Sequence, residues 1–103
     1  MYKRKARILF LDPGSGSLAR MAAAWAQHLG GVWIEAGVAA LAGKGGVSPF
    51  PFRDHDFPGP APEVTAWEDA EPGHWDLVVP MGVPGGPDWD GLLAGVRHKR
   101  WDL

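Results

Sequence analysis

"ILFLDPGSGSLARMAAAWAQHLGG", residues 8–31, reads as a strand, a tight glycine-serine turn and a helix in immediate succession. Residues 6–11 form a short, nearly continuous apolar run, the pattern of a strand covered on both faces in a parallel sheet. Pro13 to Ser17 is the turn. Ser17 is placed to cap a helix over residues 18–29, with Gly30-Gly31 closing it. Leu18, Met21, Ala22, Trp25 and Leu29 recur at spacings of three and four and predict its buried face. "VWIEA", residues 32–36, follows as a second strand, so a right-handed βαβ unit with two parallel neighbours is expected. A turn of this kind cradles anions at a helix N-terminus. This one has a carboxylate, Asp12, at its mouth and no cation before Arg20.

The rest of the chain narrows the possibilities. Its 103 residues suffice for one domain, residues 1–103, and 46% hydrophobic residues favour a packed core over disorder. A formal charge of −2 carries no footprint for nucleic acid. There is no cysteine, which excludes disulfides, thiolate metal sites and a cysteine nucleophile. No apolar run approaches the ~20 residues of a membrane span, and the first one is too short for a secretory leader, so a cytoplasmic protein is expected. Glycine and proline concentrate after residue 43. Residues 37–62 read as an irregular connection, and residues 63–69 as either a strand end or a helical turn. "HWDLVVPM", residues 74–81, is a third strand. Residues 88–95 suggest a short helix capped by Asp88, and residues 96–103 a fourth strand.

Several of these segments resemble the low-molecular-weight protein tyrosine phosphatase family, which includes arsenate reductases of the same fold. "RILFL" (7–11) resembles its first strand and "MAAAWAQHLGG" (21–31) its first helix. "IEAGV" (34–38) is similar to its second strand, "HWDLVVPMG" (74–82) to its third and "HKRWDL" (98–103) to its fourth. The resemblance implies a three-layer α/β/α fold, phosphotyrosine phosphatase I-like but truncated. Its four-stranded parallel sheet would have the order 2-1-3-4. It also implies where chemistry is missing. Asp12 stands where the family has its nucleophilic Cys, Leu18 where it has the phosphate-gripping Arg, and Ala19 where it has a Ser. Asp102 matches the general acid but is not followed by Pro. Phosphoryl transfer needs donors and cations around three equatorial oxygens. Losing the Arg removes a bidentate partner, and a carboxylate ~4 Å from a bound dianion adds repulsion of roughly 4 kcal/mol at an intermediate dielectric.

The resulting expectation is a catalytically inactive, phosphatase-like protein with a binding, regulatory or structural role. Asp12 is read either as a built-in plug that takes the loop N–H groups itself or as an ordinary turn residue. Asp12, Gly14, Ser15, Gly16, Ser17 and Arg20 are the candidates for contact with a ligand, with weak anion binding at the Pro13–Leu18 loop left open. No cofactor, metal, nucleic acid or membrane is expected.

Enzyme or nucleotide-binding readings of the Asp12–Ala19 loop stand beside this one. Gly14-x-Gly16-x-x-Ala19 fits a dinucleotide fingerprint, with Glu35 21 residues after Gly14 as the ribose-binding acid. Asp12 at a strand end also resembles the aspartyl nucleophile of haloacid dehalogenase-type phosphatases, although Gly14 replaces their second Asp. Asp54-His55-Asp56 has metal-ligand residue types but reads as a solvated loop. His28 suits a helix C-terminus. Among six tryptophans, Trp25, Trp33 and Trp75 are assigned to the core or to covering the sheet. Trp67, Trp89 and Trp101 are assigned to an interface with a second copy or another protein, because one convincing helix cannot cover both faces of a parallel sheet.

Overall fold

The computed structural model describes residues 5–14, 17–41, 63–82 and 87–102. Strand β1 is Ala6–Asp12, helix α1 Ser17–Gly30, and strand β2 Ile34–Ala40. Strand β3 is Val64–Ala66, β4 Leu77–Gly82, the one-turn helix α2 Trp89–Leu92, and β5 Trp101–Asp102. All pairings are parallel, in the order β3-β2-β1-β4-β5. The expected four-strand order is present as β2-β1-β4-β5. Residues 63–69 contain both of the elements considered for them: β3 adds a rung outside β2, and a 3-10 turn, Trp67–Asp69, follows it.

Alternation along the strands divides the core in two. Phe10, Val38 and Met81 face α1, with Ile8, Ala36 and Val79 beside them. Leu9, Leu11, Ala39 and Val78 face the other way and meet Trp89 and Leu93 of the α2 segment, flanked by Trp67 and Trp75. Trp89 is only 2% exposed, and its indole N–H donates to the Met81 carbonyl at 3.2 Å. Three layers therefore form. The second is built from one helical turn and 3-10 segments rather than from long helices.

Strand β2 begins two residues later than expected and continues through Gly37 to Ala40, because Val32 and Trp33 complete a 3-10 turn after α1. Gly31 enters the left-handed region at φ +55°, which ends the helix where the paired glycines suggested. Gly37 lies under Trp75: a Cβ there would sit 2.4 Å from the ring.

The buried face of α1 differs from the one its larger side chains suggest. Ala19 and Ala23 are buried against the sheet, while Trp25 is 47% and Leu29 78% exposed. Alanines let the helix approach closely, so the bulky residues fall on its flank. Gln27 sets this rotation. Its side-chain amide donates to the Ile34 carbonyl at 2.7 Å and accepts from the Ala36 N–H at 3.0 Å. In a strand, the N–H and C=O of one residue point to one side and those of the next to the other. The Leu41 N–H bonds Asp12 of β1, so even-numbered residues of β2 point away from β1. Gln27 thus covers the length of β2 edge that β3 leaves unpaired.

The fourth strand is weaker than its sequence implies. His98 bridges Val78, and Trp101–Asp102 pair with Met81–Gly82 in the same register, but the ladder lapses between them. Val78 exchanges both its backbone bonds with residues 97 and 99, so alternate residues of β4 face β5. Pro80 is the next of these, and it has no N–H to give.

Candidate functional site

The carboxyl ends of β1 and β4 meet where the chain reverses its direction of winding, since β1 leads to β2 on one side and β4 lies on the other. Ligands of open α/β sheets bind at such a point. Asp12 ends β1 there, 5% exposed and the one buried charged residue among those described. The Gly14 N–H donates to its Oδ1 at 2.7 Å, and the Ala19 N–H to its Oδ2 at 2.9 Å. Ala19 is the third residue of α1, so the carboxylate takes one of the helix's first amides and stands at the positive end of its dipole. Strand alternation produces this geometry. Asp12 lies on the α1 side of the sheet with Ile8 and Phe10, and the turn folds the helix N-terminus back onto it.

Around this carboxylate, Leu18 and Arg20 are half-buried and Ala19 is fully buried. Ser17 is the first residue of α1. Ser15 and Gly16 lie outside the described residues, as do Asp54-His55-Asp56 and most of the glycine- and proline-rich connection. Asp102 pairs with Gly82 at the same end of the sheet. Leu11 is level with Pro80, and Met81 with Trp101, so the backbones near Asp12 and Asp102 are separated by two strand spacings, about 10 Å.

Glu35 is at the other end. It pairs with Arg7 near the start of β1, five residues below Ala40, the residue level with Asp12. That places it ~17 Å down the sheet from the loop. Its carboxylate lies 3.7 Å from Arg7 and 3.4 Å from His74. It therefore does not serve as the ribose-binding acid of a dinucleotide site, which belongs at the carboxyl end of β2. The fingerprint spacing matched because β2 was expected to end near Ala36; its actual extent moves Glu35 from the strand's end to its beginning.

The tryptophans divide differently from the sequence-based assignment. Trp89 is core, not interface, and Trp67 packs half-buried against the same cluster. Trp101 remains on the surface, 49% exposed. Trp25 and Trp33, assigned to the core or to covering the sheet, are exposed, and Trp75 is half-buried over Gly37. Residue volume and helical spacing carried no signal for this exchange. Trp89 is buried because Asp88 caps α2, accepting from Gly91, and turns the indole beneath β4.

A cleft of about 290 Å³ lies on the far face between β2 and the 3-10 turns, with Glu63, Asp69, Glu71 and His74 at its walls. Among the described residues no group of three or more His, Asp or Glu is arranged to hold a metal ion. None of the helices among them is long and apolar enough to cross a membrane. Comparison with protein-family models and with curated proteins yields no match for this chain.

Proposed function

We propose that this chain is a catalytically inactive relative of the low-molecular-weight phosphatases and arsenate reductases that acts as a binding domain. The observation supporting this reading is the double hydrogen bond to Asp12. Its carboxylate accepts from Gly14 and Ala19, amides that a phosphoryl group resting at the N-terminus of α1 would need. A bound dianion would have to displace an internal ligand already in place. It would also face like charge, with no guanidinium at position 18 to offset it. No cysteine exists to attack phosphorus or arsenic.

Titration with sulfate, followed by amide chemical shifts at Gly14 and Ala19, tests the reading. The wild-type protein is expected to show no saturable shift at millimolar anion, and Asp12→Ala is expected to gain one. Hydrolysis of an aryl phosphate that disappears in Asp12→Ala would instead establish an aspartate-dependent enzyme.

A further inference from the structure

Helix α1 turns its alanines to the sheet and its largest side chains to water. At about 100° per residue, Trp25 and Leu29 lie about 120–160° around the helix from buried Ala23, facing away from the sheet. The chain then leaves the helix through Gly31 and adds Val32 and Trp33 before β2 begins at Ile34. Leu29 is 78%, Val32 71%, Trp33 72% and Trp25 47% exposed. Four of the six large apolar side chains exposed among the described residues thus fall in residues 25–33. Single exposed apolar residues are ordinary, but four so close in sequence form a ridge. Neither anchor of α1 needs them: its packing rests on Ala19 and Ala23, and its tie to β2 on Gln27.

We propose that this ridge docks a second copy of the chain, ridge against ridge about a twofold axis. The inference is independent of the Asp12 loop, which lies at the opposite end of α1, and goes beyond the phosphatase-like reading. Area and charge select the occupant. The four side chains present roughly 500 Å² of apolar surface, at ~150–250 Å² for a large side chain fully exposed. A specific dimer buries about 600–1,000 Å² per partner, which the ridge reaches once its rim is included. A twofold contact lays each patch on its own copy, so an uncompensated charge there would meet itself. Residues 21–34 contain no Asp, Glu, Lys or Arg. His28, the one ionisable side chain among them, meets the Trp25 ring edge-on, with centroids 5.8 Å apart. Glu35, just beyond, is engaged by Arg7 and His74. A charged partner finds no opposite charge on this stretch, whereas an identical ridge matches it apolar to apolar.

Sedimentation equilibrium of the full chain over about 10 to 300 µM tests this, a range suited to a micromolar dimer. The weight-average mass is expected to rise from 11.1 kDa toward twice that value. Leu29→Lys and Trp33→Lys change exposed side chains and place like charges across the twofold. Each is expected to weaken the dimer at least about tenfold, with the far-UV circular dichroism unchanged. Trp101→Lys, at an exposed ring on β5, is expected to leave association as it is in the wild type. A wild-type chain that stays monomeric over the whole range would overturn the proposal. So would a dimer that Leu29→Lys and Trp33→Lys leave intact, because another surface would then hold the two copies together. Flotation of a monomeric chain with phosphatidylcholine vesicles would assign the ridge to a lipid surface instead.

Discussion

Asp12 is the residue on which the candidate site depends, and its effect on stability can be separated from any effect on ligands. A buried carboxylate with two N–H donors leaves both unsatisfied when it is removed. Asp12→Ala is therefore expected to lower the unfolding free energy by about 1–3 kcal/mol, read as a lower urea midpoint at unchanged slope. Asp12→Asn keeps one oxygen acceptor and should lose less. Gly37 provides a second residue-scale test. A Cβ there meets the Trp75 ring at 2.4 Å, so Gly37→Ala must displace an aromatic side chain packed on the core. The expected cost is about 1–3 kcal/mol by the same measurement, and an unchanged midpoint would mean that the ring moves aside freely.

At the scale of elements, His98 ties the segment leading into β5 to α2. The ring reaches the Val96 carbonyl through Nδ1 at 2.7 Å and Asp90 through Nε2 at 3.2 Å. Both partners are acceptors, so only the doubly protonated ring donates to both. The Val96 carbonyl first, and Asp90 second, raise the His98 pKa above its ordinary 6.5. A raised folded-state pKa contributes stability that is complete below 6.5 and is lost as pH rises through the folded value. Wild-type stability relative to His98→Gln should therefore be greater at pH 5.5 than at pH 8.5, with Asp90→Asn narrowing the difference. A pH-independent gap between wild type and His98→Gln would show that the ring acts by packing alone. Amide exchange should be fast in β5 and slow in β1, since Pro80 removes a rung from one and not from the other.

For the molecule as a whole, the two faces of the sheet are unequal in how they are closed. The α2 face depends on a few large side chains, above all Trp89, which is buried and hydrogen-bonded. Truncating a buried tryptophan costs about 3–5 kcal/mol, a large share of the 5–15 typical of a domain. Trp89→Ala is accordingly expected to melt far below the wild type or to be unfolded at 25 °C by circular dichroism. Trp33→Ala, at a ring 72% exposed, should melt within a few degrees of it. On the other face, α1 packs its alanines closely against β1 and β2.

The first βαβ unit was legible because its signals are local. An apolar run, a glycine-rich turn and a glycine pair after the helix specify backbone conformation within a few residues of themselves. The absence of cysteine likewise ruled out thiol chemistry before any contact was known. The presence of an acid at the turn was equally plain, but that it bonds Gly14 and Ala19 depends on the helix folding back over the strand end. Tertiary structure alone decided the rotation of α1, because alanine packs closer to a sheet than leucine or tryptophan and Gln27 found an open strand edge. It also decided that Glu35 sits far from the loop, since a strand's length depends on neighbours to pair with. The same holds for which tryptophans are buried: burial depends on what lies opposite a side chain, and the sequence states only what the side chain is.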